Sequence, residues 1–110
     1  MNTGIQPARE SLIISIDYDD TFTADVSTWS AVIRVLQNAG HRVVCITARQ
    51  GNEGNRRQVE GDMPEGVCVL FAYGFQKREF AKANGVAVDI WIDDLPEAIP
   101  SKRDLILMCD

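Results

Sequence analysis

The sequence predicts an α/β fold with a mostly parallel sheet, and three observations carry that prediction. Short apolar, β-branched runs alternate with stretches whose apolar residues recur at helical spacing. Helix-ending signals, Asn38-Ala39-Gly40 and Asn84-Gly85, close two of those stretches. Two of the apolar runs end abruptly in carboxylates that no core would accept, Asp17-Tyr18-Asp19-Asp20 and Asp93-Asp94.

The first strand covers roughly Leu12 to Asp17, by its run Leu12-Ile13-Ile14-Ser15-Ile16. A helix follows, capped by Ser27 or Thr28, with Trp29, Val32, Ile33 and Leu36 on one face. Gly40 suits the left-handed position after its end. Arg42-Val43-Val44-Cys45-Ile46-Thr47 reads as the second strand and Val67-Cys68-Val69-Leu70-Phe71 as the third. Between them, residues 48–66 carry several glycines and few apolar residues, so a long loop is expected there, with room for one helical turn. A helix from about Phe75 to Asn84 leads into the fourth strand, Val88 to Ile92. A short helical turn near Leu95 to Ile99 precedes a fifth strand at Leu105-Ile106-Leu107-Met108. Trp29 and Trp91 lie in periodic apolar segments and read as core, and His41 reads as a surface turn.

Length and composition set modest bounds. A chain of 110 residues suits one domain spanning 1–110, and 45% hydrophobic with 25% charged content is that of a soluble globular protein. A formal net charge of −5 argues against general nucleic-acid binding, which needs a basic surplus. Cys45, Cys68 and Cys109 each sit in an apolar run, in no CxxC or Cys/His cluster, and read as buried reduced thiols rather than zinc ligands. With no apolar signal region in Met1 to Glu10 and no membrane-length run, the expected location is cytoplasmic, without a membrane partner.

The acidic strand ends carry the functional reading. Side chains alternate along an extended chain, so Asp17 and Asp19 should leave the first strand on one side. Carboxylates aimed at one point repel, and a divalent cation is the usual remedy. In a doubly wound sheet the fourth strand lies beside the first, where the winding reverses, and ligands bind in that crevice. Asp17, Asp19, Asp93 and Asp94 should therefore converge.

On these residues the chain resembles the haloacid dehalogenase (HAD) superfamily, dominated by Mg²⁺-dependent phosphatases. An apolar strand followed by Asp17, Asp19 and Thr21 matches its Asp-x-Asp-x-Thr motif, and Thr47 matches the Ser or Thr ending the next strand. Lys77, with Lys82 in reserve, matches its later helical lysine, and Asp93-Asp94 matches its acidic pair. The resemblance implies a Rossmann-like three-layer fold around a five-stranded, mostly parallel sheet. It implies Asp17 as nucleophile, forming an aspartyl-phosphate, and Asp19 as the acid–base group. Thr47 and Lys77 would hold the phosphoryl group. Asp17, the Asp19 carbonyl and Asp93 would hold Mg²⁺, with Asp94 acting directly or from behind. The sequence departs from the family at Asp20, where Gly is common, and it leaves no room for a cap domain. It is similar in this to small capless members often encoded by phages and prophages. An open site suits bulky substrates or a lid from a second subunit of a homo-oligomer.

Plainer readings stand beside these. Asp93-Asp94 could cap a helical turn, Thr often ends strands, and a helical Lys is usually solvated. Thr21, Arg49, Arg56 and Arg57 could contact substrate, but Glu53, Glu60, Asp62 and Glu65 make a mixed solvated loop equally plausible for the arginines. A receiver-type phosphoacceptor domain would need an Asp after the third strand, where Phe71-Ala72-Tyr73 stands, and a Lys after the fifth, where Cys109-Asp110 stands. A non-catalytic binding or assembly module remains the other alternative. The substrate class is open among nucleotides, nucleic-acid ends, sugar phosphates and phosphoproteins.

Overall fold

The computed structural model describes residues 11–99. Four strands form one sheet: β1 (Ile13–Ile16), β2 (Arg42–Thr47), β3 (Cys68–Phe71) and β4 (Ile90–Ile92). Every pairing is parallel, and the order is β3-β2-β1-β4. β1 is thus central, with β4 beside it, as the crossover argument expects. The fifth strand expected at Leu105 to Met108 lies outside the described residues.

Helices cover both faces, which is why the strands read as continuous apolar runs rather than alternating ones. On one face Ile33 of α1 (Val26–Asn38) and Val59 of α2 (Glu53–Asp62) join Ile16, Val43 and Cys45. On the other, Ala81 of α3 (Lys77–Ala83) joins Val44 and Ile46. Each fully buried Val or Ile contributes about 1.5–3 kcal/mol relative to exposure, so β2, buried from Val43 to Thr47, anchors the sheet. Trp29 and Trp91 are half-buried against these two clusters, as the periodicity predicts. Among the described residues no helix is long and apolar enough to cross a membrane.

The elements differ from expectation where local chemistry overrides pattern. A 3₁₀ turn over Phe22–Ala24 runs straight into α1, so the cap is Asp25, whose carboxylate accepts the Thr28 N–H (3.1 Å), rather than Ser27 or Thr28. The end of α1 follows the expected pattern. Gly40 is left-handed (φ 94°), its N–H bonds the Gln37 carbonyl (3.0 Å), and the His41 N–H bonds that of Leu36 (3.0 Å). His41 is tied down as well, its Nδ1 accepting the Leu12 N–H (3.1 Å).

The segment 48–66 is not a long loop, because α2 occupies ten of its residues. Asn52 caps it by accepting the Asn55 N–H (2.8 Å), and Arg57 pairs with Glu53 and Arg56 with Glu60 along its exposed side. Val59 and Met63 then dock it on the sheet. These contacts outweigh the helix-weakening glycines 54 and 61.

α3 starts at Lys77 rather than Phe75, since Tyr73 (φ 51°) and Gly74 (φ 83°) turn the chain sharply first. Cys68 is exposed rather than buried. It is the first residue of edge strand β3 and alternates with Val69, which packs inward, so it lies beyond the helix cover. Cys45 is buried as expected, and Cys109 lies outside the described residues. One 3₁₀ turn separates β1 from α1 and one helix separates β2 from β3, so the described residues hold no cap unit.

Candidate active site at the strand tips

The site begins where β1 stops pairing. The Asp17 N–H still bonds the Ile92 carbonyl of β4 (2.9 Å), which fixes the Asp17 backbone between the strand tips. The chain then folds back, with Phe22 N–H to the Asp17 carbonyl (3.1 Å) and Thr23 N–H to that of Tyr18 (3.0 Å). Asp20 takes a left-handed conformation in that turn (φ 61°), and its N–H bonds Thr23 Oγ1 (2.9 Å). Asp is among the few residues besides Gly that tolerate this geometry.

Asp17, Asp19, Asp20, Asp93 and Asp94 all line one cavity of about 290 Å³, together with Lys77. Asp17 and Asp19 thus reach the same cavity, but β1 ends at Ile16 and it is the turn after Asp17, not alternation along a strand, that brings Asp19 there. Lys77 rises from the first turn of α3, and its ammonium donates to Asp17 Oδ1 (2.9 Å) and Asp93 Oδ2 (2.6 Å). Its side chain is only 3% exposed and that of Asp93 2%. Asp93 is held by the Leu95 N–H on its other oxygen (2.9 Å). Thr21 Oγ1 donates to Asp94 Oδ1 (3.0 Å) and accepts the Asp94 N–H (3.2 Å), tying the β1 turn to the β4 end.

One buried ammonium does not satisfy so many carboxylates. Burial pushes the Asp17 carboxyl up from 3.8 to about 6 against the pull of Lys77, and Asp93 and Asp94 add to the rise. Burial works against the Lys77 ammonium too, but its bonds to Asp93 and Asp17 outweigh it and hold its pKa above the usual value. Hydrogen bonds with Asp17 and Thr21 keep Asp94 low. Carboxylate oxygens of Asp17, Asp93 and Asp94 lie within 4.8 Å of one another. An all-oxygen set of this kind, short of positive charge, fits a small hard divalent cation.

Thr47 and the arginines take other positions. Thr47 ends β2, fully buried, and its Oγ1 accepts the Arg49 N–H (3.2 Å). Its neighbour Ala48 lines the cavity. Arg49 makes a two-bond contact with Asp19, Nε to Oδ2 and Nη2 to Oδ1, both 2.8 Å. Arg56 lies over the Phe71 ring (4.9 Å) and donates to the Gly51 carbonyl, and Arg57 pairs with Glu53 on the exposed side of α2. None of the three arginines lines the cavity itself; Arg49 reaches it only through Asp19. Lys82 is exposed on α3, so of the two lysines Lys77 is the one at the carboxylates.

The sequence reading missed Asn55 and Gln58, and took Asp62 as a charge of a solvated loop. Asn55 and Gln58 bond Arg49 Nη1 (3.1 and 2.9 Å), and Asp62 accepts the Tyr18 hydroxyl. All three stand on α2, and the signals that could have revealed that helix are Asn52 as cap and the i,i+4 pairs Glu53–Arg57 and Arg56–Glu60. Compared with protein-family models, curated proteins and solved structures, the chain shows no significant match.

Proposed function

We propose that this chain is a Mg²⁺-dependent phosphohydrolase of the haloacid dehalogenase type, with a Rossmann-like core and an uncapped site. The observation that carries the reading is the Lys77 ammonium bridging Asp17 and Asp93, from strands that are neighbours only in the fold. Buried carboxylates gathered around one ammonium are costly to a fold, and apolar side chains would join α3 to β1 at less cost. They suit a site built to handle a phosphoryl group.

In this reading Asp17 Oδ attacks phosphorus. A bond from Asp17 to phosphorus forms, the ester bond breaks, and the leaving oxygen takes a proton from the Asp19 carboxyl. Water then attacks the aspartyl-phosphate, Asp19 takes its proton, and phosphate leaves with Asp17 restored. Lys77 donates to the phosphoryl oxygens, and Thr47, whose hydroxyl is buried beside the cavity-lining Ala48, would be their second donor. Asp17, Asp93 and the Asp19 carbonyl would hold Mg²⁺, with Asp94 beside them. When bound, the ion supplies charge neutralisation and Lewis acidity.

The test is phosphate release, with and without Mg²⁺, from nucleotides, 5′- and 3′-phosphorylated oligonucleotides, sugar phosphates and phosphopeptides. Mg²⁺-dependent release from at least one class is expected from the wild type and not from Asp17→Asn. Release from none, at micromolar protein, contradicts the reading and leaves a binding module.

A further inference from the structure

The cavity wall carries five carboxylates, and its one lysine, bonded to two of them, keeps a single N–H for an entering anion. A phosphoryl group entering such a site needs a cation that can be released to it. Arg49 is that cation by geometry. Its guanidinium uses two edges for two purposes. The Nη1 edge is anchored on α2 by neutral acceptors, Asn55 Oδ1 and Gln58 Oε1, and the guanidinium carbon lies over the Tyr18 ring, 5.0 Å from its centroid. The Nε–Nη2 edge holds both oxygens of Asp19, and Asp19 in turn lines the cavity, so the guanidinium stands one carboxylate away from it. Carboxylate and phosphoryl oxygens present the same two-point pattern to that fork. The pair is also open to exchange, with side chains 25% exposed for Arg49 and 48% for Asp19.

We propose that Arg49 is the phosphate-binding arginine of this cavity, parked on Asp19 in the substrate-free protein and passed to the phosphoryl oxygens when the anion enters. The neutral contacts from Asn55, Gln58 and Tyr18 keep the guanidinium in place through the exchange. Transfer frees both Asp19 oxygens, so the acid–base group becomes available only when a phosphoryl group is present. The inference rests on the proposed phosphohydrolase reading for the identity of the site, but its test does not depend on turnover.

That test is calorimetric titration of inorganic phosphate, at fixed Mg²⁺, into the full chain and its variants. Arg49→Met should weaken binding by about tenfold to a hundredfold, the usual range for one charge-assisted contact. Arg49→Lys, which keeps the charge without the two-bond edge, should fall between. Asp19→Asn should tighten binding, because Arg49 no longer has to be taken from a carboxylate. Removing a negative charge would also tighten it, so two controls separate the causes. Asp20→Asn removes a charge from the same cavity wall and should give a smaller gain. Asp19→Asn placed in the Arg49→Met background should give no gain beyond that of Asp20→Asn. An Asp19→Asn gain that persists undiminished without Arg49, or wild-type affinity in Arg49→Met, overturns the exchange. So does an absence of phosphate binding in both wild type and Asp19→Asn. Failure of the enzymatic reading would appear separately, as no ester hydrolysed by the wild type.

Discussion

Lys77 places its ammonium 2.9 Å from Asp17 Oδ1 across 60 residues of chain, and both side chains are almost fully buried. A buried pair of this kind fixes where the start of α3 sits against the tip of β1. It also leaves Asp93 and Asp94 leaning on the same charge. Removing one member of such a pair leaves uncompensated buried charge.

Lys77→Met should therefore destabilise the metal-free protein by about 3–5 kcal/mol, the usual cost of orphaning a buried ion. Lys82→Met, on the exposed side of the same helix, should change stability by no more than about 0.5 kcal/mol. Denaturant melts of the two variants in EDTA check this. Equal stability of both would remove Lys77 from the centre of the site.

The Asp17 carboxyl predicts an unusual pH dependence. Its pKa is about 6 in the folded chain against 3.8 as the ordinary value, so between about pH 4 and pH 6 the folded state holds more protons than the unfolded. Stability of the metal-free protein should accordingly fall as pH rises through that window, by about 3 kcal/mol at most. Asp17→Asn should flatten the fall. Asp94 is shifted the other way and acts below the window. Chemical denaturation at half-unit pH steps in EDTA reads the slope, and a slope of the opposite sign in wild type contradicts the assignment.

Mg²⁺ should raise the melting temperature by mass action, about 2.7 kcal/mol at a hundredfold excess over Kd. Asp93→Ala removes a carboxylate of the gathered set and should blunt the rise, whereas Glu60→Ala on the exposed side of α2 should not. Identical Mg²⁺ shifts in the two variants would exclude Asp93 as a ligand.

Asp20 offers a test of backbone geometry independent of catalysis. At φ 61° an ordinary L-residue costs about 1–2 kcal/mol, whereas Gly costs nothing for the angle. Asp20→Ala should lower stability by about that amount and Asp20→Gly should not. Thermal melts of the two variants decide it, and equal losses would mean that the side chain rather than the angle matters.

Much of this architecture was legible in the sequence because its signals are local. β2 runs from Arg42 to Thr47 as its apolar run indicates, and Gly40 and Gly85 end α1 and α3 in left-handed conformations (φ 94° and 79°). The acidic strand ends converge because parallel order puts β4 beside β1. What escaped either lacked an apolar stripe or was carried by a contact between distant residues. α2 has only Val59 buried, so its helicity rests on Asn52 and on ion pairs rather than on an apolar stripe. Reading that stretch as a loop also hid Asn55 and Gln58, and with them the second anchor of Arg49. No pattern of spacing could show that Arg49 would choose Asp19, 30 residues earlier.

The most direct measurement of the central claim is chemical trapping at Asp17. Wild-type protein turning over its best substrate with Mg²⁺ would be quenched with borohydride, which reduces an aspartyl-phosphate to homoserine, and the peptide spanning residue 17 read by mass spectrometry. Homoserine at position 17, dependent on both substrate and Mg²⁺ and absent at Asp19, is the expected result. Turnover without reduction at position 17, or reduction at another carboxylate, would contradict Asp17 as the nucleophile.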